Sequence, residues 1–398
     1  RMDRIEELLT RGVANIIPNK GELKKVLASG KKLNIYLGID PTAPKIHLGH
    51  AVLLIKLQKF AELGHNVTLL IGDFTALVGD TSDKESERPI LTSEEIEKNF
   101  KTYKKQAEKI LDFSKIKINR NSEWLSKLTY AEVFKLKQQF SLNDFISREL
   151  IKKRLSEGKT IRLDETEYPI MQGYDSYFLD TDIQIGGTDQ TFNMQAGRTL
   201  QKKLRNKESF IVATEFLMGI DGRKMSKSWN NAIWLDDKPT DMFAKVMAIN
   251  DDLIDSYFVL GTNSNIKEIE KIKSGRNPMD VKKELAKIIV AELHSEKDAQ
   301  EAKENFEQTV QGEKLPDDIP IFQHTGKNSQ NIIDLLMQTK LAQSRADAKR
   351  LIEQGGVSVD GQIVKDTNMT TELRNGQIIK VGKRKFVKIR INSSAPNS

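Results

Sequence analysis

Two short segments of this chain carry side chains that suit chemistry on a phosphate chain. The first is Lys224-Met225-Ser226-Lys227-Ser228, which follows an Asp-Gly turn and holds two lysines three residues apart. Two ammonium groups on a loop with small hydroxyl residues can bind a polyphosphate without blocking its approach. A lysine pair beside a turn is also typical of a solvated surface loop, so the phosphate-binding interpretation requires a partner segment.

The partner segment is His47-Leu48-Gly49-His50, far upstream in the chain. Its histidines stand three apart at the predicted start of a helix and therefore share a face. The helix amino terminus attracts phosphate, and Gly49 leaves room for a base or ribose against the backbone. A capping histidine and half of a metal site are the alternatives. A metal is disfavoured because no ligand spacing joins this pair to His65, His294 and His324.

A parallel sheet is predicted to position both segments. Residues 33–40 alternate and are rich in strand formers, residues 51–63 have a helical pattern, and residues 67–72 form a second apolar run. Strand, helix and strand in this order make a βαβ unit, which places a binding site at the carboxyl ends of the strands. Residues 182–190 and 210–213 are predicted as further strands, the second of which leads into the lysine segment.

A predicted helix that starts near Pro169 carries three polar side chains on one face. Tyr168, Gln172 and Asp175 stand at i, i+4 and i+7, and their apolar neighbours favour a polar pocket over an exposed face. Gly186-Gly187-Thr188-Asp189-Gln190 ends a predicted strand, and its carboxylate and amide can bind a ribose diol or an ammonium group.

A glycine-punctuated run, residues 72–80, follows the second predicted strand, and glycines there indicate that the backbone meets a ligand. The charge-dense segment behind it carries Lys84 and Arg88. These two cations either close over a phosphate or are ordinary surface charges.

Composition limits the class of protein. With 398 residues, 38% hydrophobic and 30% charged, the chain is long enough for two or three globular domains. The absence of cysteine excludes disulfides, thiolate chemistry and cysteine-ligated metals. No apolar run approaches the roughly 18 residues that span a bilayer, and the first residues form a charged amphipathic pattern instead of an export signal. We therefore expect a cytoplasmic enzyme or nucleic-acid-binding protein without membrane contact.

The net charge of +7 is concentrated near the end of the chain. Residues 331–398 hold 12 Lys and Arg against 6 Asp and Glu, a net of +6, which leaves +1 for the rest. This asymmetry favours an RNA-binding appendage on a nearly neutral body over a solvated small domain. The predicted one-sided phosphate-binding surface consists of Arg345, Lys349, Arg350, Lys383, Arg384, Lys385 and Lys388.

We predict an α/β protein with three parts. Residues 1–235 form a Rossmann-like catalytic domain around a parallel sheet, with a helical insertion at residues 92–165 whose apolar stripe is either core or a subunit interface. Residues 236–325 are predicted as an all-helical domain. Residues 331–398 are predicted as a small basic α+β domain, in which a helix at residues 344–352 precedes strands.

These motifs in this order resemble the signatures of the class I aminoacyl-tRNA synthetases, usually called HIGH and KMSKS, at residues 47–50 and 224–228. More narrowly, the chain resembles the bacterial tyrosyl-tRNA synthetases over nearly its full length. Further residues carry this likeness: Tyr36, Gly38, Asp40, Pro41, Thr42, Gly79, Asp80, Tyr168, Gln172, Asp175 and the segment 186–190.

Two departures from the family pattern mark a divergent branch. Asp189-Gln190 continues as Thr191-Phe192-Asn193 where many members have Trp-Gly-Asn. The lysine segment also has the full consensus form, whereas many members carry a degenerate one.

The resemblance implies a two-step reaction. L-tyrosine is activated with ATP, supplied as its Mg²⁺ complex, to tyrosyl-adenylate and pyrophosphate, and the tyrosyl group then passes to the 3′ end of its tRNA. The resemblance further implies a homodimer, an all-helical domain on the anticodon side and a terminal RNA-binding domain. It implies no metal or prosthetic group held by the protein itself.

The same resemblance assigns roles to individual residues. The triphosphate and the charge that develops on it are assigned to Thr42, His47, His50, Lys84, Arg88, Lys224 and Lys227. The tyrosine site is assigned to Tyr36, Asp80, Tyr168, Gln172, Asp175 and Gln190, of which Tyr36 and Asp175 bind the phenol. ATP contacts are assigned to Asp40, His47, Gly49, His50, Asp189, Leu217 and Lys227.

Two other functions compete with this one. A related nucleotidyltransferase for tryptophan or a small acid is disfavoured because the pair of Tyr36 and Asp175 requires a substrate hydroxyl. A relative that only binds RNA, as a splicing factor does, is disfavoured because both catalytic motifs are intact. ATP–pyrophosphate exchange measured with each amino acid separates the three functions.

Overall fold

A six-stranded, mostly parallel sheet lies at the centre of the first of two units in this chain. The structure, a computed structural model, describes residues 2–80, 91–226, 229–310, 319–325, 329–360, 362–382 and 385–391. The first unit comprises residues 1–303 and the second residues 304–398, and each is described by itself.

The first unit alternates strands and helices. Its strands are β1 (Val13–Ile17), β2 (Asn34–Ile39), β3 (Asn66–Ile71), β4 (Ile116–Arg120), β5 (Ile183–Gly187) and β6 (Phe210–Thr214). Its helices are α1 (Met2–Thr10), α2 (Lys20–Ala28), α3 (Leu48–Glu62), α4 (Thr75–Val78), α5 (Ser93–Ala107), α6 (Ser122–Leu125), α7 (Tyr130–Lys137), α8 (Leu142–Ile146), α9 (Glu149–Ser156), α10 (Tyr168–Phe178), α11 (Thr191–Arg205), α12 (Pro239–Met247), α13 (Ile254–Gly261), α14 (Ile266–Lys273), α15 (Pro278–Leu293) and α16 (Glu296–Val310), the last of which starts in this unit. Single 3₁₀ turns lie at Leu163–Thr166, Thr188–Gln190 and Asp251–Leu253.

The sheet has the strand order β1-β6-β5-β2-β3-β4, in which β2 to β6 are parallel and β1 pairs antiparallel with β6. The winding reverses between β2 and β5, so the crevice at their carboxyl ends is where an open α/β sheet binds its ligands. Both β5 and β6 are buried along their whole length, which explains the nearly continuous apolar run of β6. The predicted Rossmann-like parallel sheet is confirmed.

Sequence patterns do not reveal the two edge strands, β1 and β4. The first lies among residues that have helical patterns, and the second lies within residues 92–165, which the sequence predicts as a helical insertion. The strand β4 reads Ile-Lys-Ile-Asn-Arg and carries only two apolar side chains, because an edge strand is covered on fewer sides. Since α5 connects β3 to β4, the part of the predicted insertion that remains helical after β4 is α6 to α9.

The segment after α1 connects α3 to the end of α13. Lys56 of α3 is buried and donates to the carbonyls of Leu8 and Arg11 at 2.8 and 2.7 Å. The Arg11 guanidinium in turn donates to four carbonyls at and just after the end of α13, at 2.5 to 2.9 Å, those of Phe258, Val259, Thr262 and Ser264. These bonds pair carbonyls that a helix end leaves without an internal donor.

Replacing Arg11 by alanine is expected to lower the free energy of unfolding by about 2–4 kcal/mol, because several partly buried carbonyls lose their donor. Urea denaturation measures the change. Arg4→Ala removes an exposed guanidinium from α1 and is the matched control, with an expected change below about 0.5 kcal/mol. Equal effects of the two substitutions would contradict the capping role of Arg11.

The second unit is a small α+β fold, as predicted. Its strands are β7 (Ile321–His324), β8 (Ser329–Asn331), β9 (Val357–Val359), β10 (Gln362–Ile363), β11 (Thr370–Glu372), β12 (Ile378–Val381) and β13 (Lys385–Ile391), and its own helices are α17 (Ile332–Gln338) and α18 (Arg345–Glu353). One sheet has the order β10-β9-β12-β13-β7, and β8 pairs with β11.

The second unit starts earlier in the chain than the sequence predicts. The strand β7 lies within residues 236–325, predicted as all-helical, and pairs with β13. The start of β8 likewise precedes residue 331. The boundary predicted at residue 235 lies inside the first unit and stays a prediction. Across the described parts of the chain, no helix is both long and apolar enough to cross a membrane.

Candidate active site

The histidine segment (residues 47–50) forms the amino-terminal cap and the first turn of α3, after the carboxyl end of β2. Residues 46–48 pair with residues 233–235 through two backbone hydrogen bonds of 2.8 and 2.9 Å and a bridge between His47 and Trp234. The rings of His47 and His50 stack with their centroids 3.9 Å apart. Because residues 233–235 closely follow the lysine loop (residues 224–228, described as far as Ser226), backbone hydrogen bonds tie the two motifs together.

Both imidazoles are neutral near pH 7. Burial lowers the pKa of His47 to about 2, and the nearby His50 and Lys224 act in the same direction. Burial also lowers the pKa of His50 to about 4, with Lys224 adding to the effect. The Nδ1 atom of His47 is buried and has no hydrogen-bond partner among the residues that the structure describes, so a ligand can pair with it.

The NMR signals of the His47 and His50 rings are expected to keep their neutral form from pH 8 down to pH 5. Because each ring has a lower pKa in the folded protein than its ordinary value of 6.5, the unfolded chain binds more protons between pH 6.5 and about 4. Above pH 6.5 these rings therefore leave the free energy of unfolding unchanged. As the pH falls below 6.5, they lower the free energy of unfolding. His50→Gln should flatten that loss in urea denaturation, and a titration midpoint near 6.5 for either ring would contradict the burial argument.

Lys224 faces the same crevice as the histidines. Its Nζ pairs with Asp189 Oδ2 at 3.1 Å and lies 4.9 Å from the centre of the Phe216 ring. Its charge is one of the causes that lower the pKa of both histidines, which requires an ammonium group near both rings. The structure thus brings the two motifs that are far apart in sequence to one crevice.

Gly49 lies tightly against the His47 ring and in ordinary contact distance of the Leu217 backbone. A Cβ built on Gly49 would lie 3.0 Å from the His47 ring and 3.7 Å from the Leu217 carbonyl oxygen. Leu217 itself is buried. Thr42 is partly exposed after β2, and its amide donates to the Asp40 carbonyl at 2.8 Å.

A buried carboxylate, Asp175, lies close to Tyr36 behind the crevice. Trp124 Nε1 donates to Asp175 Oδ1 at 2.7 Å and Asn121 Nδ2 donates to Oδ2 at 3.1 Å. Burial raises the pKa of Asp175 to about 8 in spite of these bonds. Tyr36 donates to Gln184 Oε1 at 3.3 Å, and burial raises its pKa, with Asp175 adding to the effect. The two groups assigned to the phenol are therefore neighbours.

Asp40 holds Tyr168 and Thr75 at the carboxyl end of β2. Tyr168 Oη donates to Asp40 Oδ2 and Thr75 Oγ1 donates to Oδ1, each at 2.8 Å. Asn121 Nδ2 donates to Thr75 Oγ1 at 3.0 Å and so connects this carboxylate to Asp175. The Tyr168 hydroxyl, assigned to the substrate ammonium group, thus has a protein partner as well.

Asp80 and Gln190 form a third polar group. Gln190 Nε2 donates to Asp80 Oδ2 at 2.7 Å, and Asn193 Nδ2 donates to the same oxygen at 3.2 Å. Asn193 also lies 3.1 Å from Gln190 Oε1, to which it donates. Gln172 of α10 is partly exposed.

Some predicted site residues lie outside the described residues, so the structure says nothing of them. They are Lys84, Arg88, Lys227, Lys383 and Arg384.

The remaining predicted RNA-binding residues lie on two elements of the second unit. Arg345, Lys349 and Arg350 are exposed on α18, and Lys385 and Lys388 are exposed on β13. Arg345 pairs with an aspartate on α17 at 2.7 Å, and Arg350 with one on α18 at 2.6 Å. Exposed pairs of this kind are weak, so these cations can exchange carboxylates for phosphates.

Sequence analysis misses four polar residues of the site: Thr75, Asn121, Gln184 and Asn193. Gln184 does carry a signal, since a buried amide inside the apolar strand β5 requires a partner. Asn121 directly follows β4, the strand that the sequence does not reveal. Its position therefore gives no warning of a role.

Comparison with known proteins finds two family profiles in the chain. The profile described as tRNA synthetases class I (W and Y) matches residues 28–311, and the profile described as the Tyrosine--tRNA ligase SYY-like C-terminal domain matches residues 311–389.

Individual proteins agree with these profiles. The chain is 43% identical over 388 residues to "Tyrosine--tRNA ligase 2" of Vibrio vulnificus, which covers 96% of this chain and 97% of the relative. It is 40% identical over 389 residues to "Tyrosine--tRNA ligase" of Thermotoga maritima, and the matched region covers 96% of this chain and 96% of the relative. Its fold is similar to that of a C-terminally truncated mitochondrial tyrosyl-tRNA synthetase of Aspergillus nidulans, with a TM-score of 0.65 and 24% identity over 77% of this chain and 93% of that one.

Proposed function

We infer the function from the premise that the chain belongs to the tyrosyl-tRNA synthetases, within the class I tRNA synthetases for tryptophan and tyrosine. It is a tyrosine–tRNA ligase, which activates L-tyrosine with ATP and passes the tyrosyl group to the 3′ end of its tRNA. One observation carries the residue roles below: the histidine segment and Lys224 meet in one crevice beside the buried pair of Tyr36 and Asp175.

The phenol of the substrate binds between Tyr36 and Asp175. Trp124 and Asn121 hold the Asp175 carboxylate in place, and a carboxylate has lone pairs left for a third donor. A substrate that lacks the hydroxyl leaves these buried groups without a partner, which costs about 1–3 kcal/mol for each group. Discrimination against phenylalanine follows from that cost.

The α-amino group binds to Asp80, with Gln172 and Tyr168 completing its hydrogen bonds. Gln190 and Asn193 hold the Asp80 carboxylate, which keeps a negative charge facing the ammonium group. Gln190 also supports the substrate carboxylate, whose oxygen must point into the crevice to react.

ATP binds as its Mg²⁺ complex with the triphosphate over the amino terminus of α3. Asp189 takes the ribose hydroxyls and gives up its ion pair with Lys224, which frees that ammonium group for the phosphates. The other groups proposed for the triphosphate are Thr42, His47, His50, Lys84, Arg88 and Lys227, and the backbone at Asp40, Gly49 and Leu217 lies against the nucleotide. In this proposal the Mg²⁺ enters with ATP as part of the substrate.

Adenylate formation needs charge stabilisation and no protein nucleophile. A carboxylate oxygen of tyrosine forms a bond to the α-phosphorus while the bond from that phosphorus to the bridging oxygen of pyrophosphate breaks. The lysine loop neutralises the charge that moves onto pyrophosphate. A hydroxyl of the terminal tRNA ribose then attacks the tyrosyl carbonyl carbon, and AMP leaves.

The tRNA is bound in part by the exposed cations of α18 and β13, which contact phosphates. Lys383 and Arg384 extend this surface in sequence. The predicted all-helical region after residue 236 lies on the anticodon side. A cytoplasmic location and the absence of a membrane partner complete the proposal, because charged tRNA is consumed by translation.

A homodimer is part of the proposal and is supported by apolar surface on and near α6 to α11. Leu142 and Leu163 are 65% and 86% exposed. A groove of about 480 Å³ lies among Phe140, Phe145 and Ile170 on the same elements, and exposed apolar surface of this kind is typical of an interface. Light scattering is expected to give twice the chain mass, and half of that for Leu142→Asp. Ile266→Asp, at an exposed apolar position on α14, is the matched control and should remain dimeric.

ATP–pyrophosphate exchange with each of the twenty amino acids tests the activity. Exchange is expected with L-tyrosine alone, and purified tyrosine tRNA should then accept labelled tyrosine. Exchange that depends on tryptophan would transfer the assignment to the other branch of the family. RNA binding without any exchange would leave the chain a binding protein.

A further inference from the structure

We propose that Asn231 is a positioning residue for adenylate formation, which holds residues 224–226 of the lysine loop in the geometry that brings Lys224 to the phosphates. This inference rests on the proposed function of that loop. Asn231 follows the loop in sequence, is 1% exposed, and belongs to none of the groups assigned to substrate above.

The Asn231 side-chain amide joins the turn before the loop to residues 224 and 226 of the loop. Its Nδ2 donates to Asp221 Oδ1 at 2.8 Å and to the Lys224 carbonyl at 3.2 Å, and its Oδ1 accepts from the Ser226 amide at 2.8 Å. Three of the four usual hydrogen bonds of an amide side chain are therefore made to the loop and the turn before it. Since two of them go to the backbone on either side of Met225, they fix the point from which the Lys224 side chain starts.

The backbone around Asn231 is built closely against this amide. The Ile220 amide donates to the Asn231 carbonyl at 3.1 Å. A Cβ built on Gly219 would lie only 2.4 Å from Asn231 Nδ2, so that position accepts glycine alone. Met218 precedes Gly219, and its carbonyl accepts a hydrogen bond from the buried Tyr257 hydroxyl of α13 at 2.8 Å. The turn before the loop is thus held from both sides.

Asn231 also lies two residues before the segment that pairs with the histidine motif. The next residues, 233–235, form the backbone hydrogen bonds to residues 46–48 described above. The same asparagine therefore connects the lysine loop to the residues that pair with the start of the histidine segment. Losing its amide would let Lys224 move relative to His47 and His50 without disturbing the tyrosine site, which is built from other elements.

Such a change should lower the rate of the chemical step more than substrate binding. Misplacement by about 1 Å of a group that acts on the transition state can cost on the order of 10²-fold in rate. We expect Asn231→Asp to lower kcat for tyrosine-dependent ATP–pyrophosphate exchange by about 10²-fold, because a carboxylate cannot donate to Lys224 and repels Asp221. The dissociation constant for tyrosine without ATP should stay within about two-fold.

The neighbouring residue offers a matched control. Asn230 is exposed and has a left-handed backbone (φ 50°), which aspartate tolerates. Asn230→Asp makes the same chemical change one residue earlier and should leave exchange within about two-fold of the wild type, as surface substitutions do. A kcat for Asn231→Asp within about three-fold of this control would overturn the proposal.

A double variant separates positioning from stability. Asp221→Asn combined with Asn231→Asp restores a donor–acceptor pair between the two side chains but leaves the Lys224 carbonyl without its donor. We expect this variant to be thermally more stable than Asn231→Asp while its kcat stays as low. Recovery of kcat together with stability, or loss of tyrosine binding in every Asn231 variant, would mean that the residue serves the fold alone. A wild-type chain without tyrosine-dependent exchange would instead refute the proposed function.

Discussion

Asp175→Asn is expected to lower kcat/KM for tyrosine activation by about 10²–10³-fold, because a buried carboxylate that accepts a hydrogen bond contributes about 3–4 kcal/mol when the loss of the partner is included. Asp175 is 3% exposed and is already oriented by Trp124 and Asn121. The substitution keeps the shape of the side chain and replaces one carboxyl oxygen by an amide nitrogen, so what is lost is the oxygen acceptor that the substrate hydroxyl meets. The small activity on phenylalanine, which has no hydroxyl, should change much less.

The comparison between the two substrates is what makes this result specific. Asp175→Asn also weakens the bonds from Trp124 and Asn121, so the variant is checked for folding by its thermal unfolding and by ATP binding. Asp180→Asn, at a half-exposed side chain just beyond the end of the same helix, is the matched control and should keep the wild-type kcat/KM. Equal losses on tyrosine and phenylalanine would show that Asp175 supports the fold of the site and does not select the phenol.

The strands that were predictable are those with a strong burial pattern. The strands β2, β3, β5 and β6 are the four interior strands of the sheet. Burial on both faces makes them more apolar than the segments around them. The edge strands β1 and β4 carry mixed sequences whose strand character comes from pairing with a neighbour far away in the chain. The residues of an edge strand therefore do not identify the strand with which it pairs.

The same difference explains which parts of the site could be found. Motif residues such as His47, Asp175 and Asp189 stand in segments with a recognisable order of glycines and polar groups. Asn121 comes into the site only because β4 pairs with β3, which places the residue after Arg120 beside Gly72 and Thr75. A prediction without β4 cannot place it, although its bonds to Asp175 and Thr75 are central to the site.

The structure also decides where the chain has to be cut to test the RNA-binding unit. A cut at the predicted boundary, residue 331, would leave β7 without β13 and β8 without β11, since Lys388 pairs with Ile321 and Thr370 pairs with Asn331. Both orphaned strands would expose unpaired edges. Ending the chain after residue 310 removes all seven strands of the second unit together, and this is the variant whose behaviour bears on function.

The variant that ends after residue 310 is expected to catalyse tyrosine-dependent ATP–pyrophosphate exchange within about two-fold of the full chain, because every residue assigned to the crevice belongs to the first unit. Its kcat/KM for charging tRNA should fall by about 10²-fold or more, since several phosphate contacts are lost at once. In the full chain, Arg345→Gln combined with Lys349→Gln should weaken tRNA binding and make its dependence on salt shallower by about 0.7 for each phosphate contact removed.

Lys297→Gln provides the control for charge alone, because it removes one highly exposed lysine from α16, outside the predicted RNA-binding surface. If this variant weakened tRNA binding as much as the α18 variants do, attraction by net charge would explain the result and no specific surface would be needed. Truncation that left charging and its salt dependence unchanged would contradict RNA binding by the second unit. Loss of exchange together with charging would instead mean that the first unit needs the second in order to fold. Only loss of charging with exchange retained fits an activation site in one unit and an RNA-binding surface in the other.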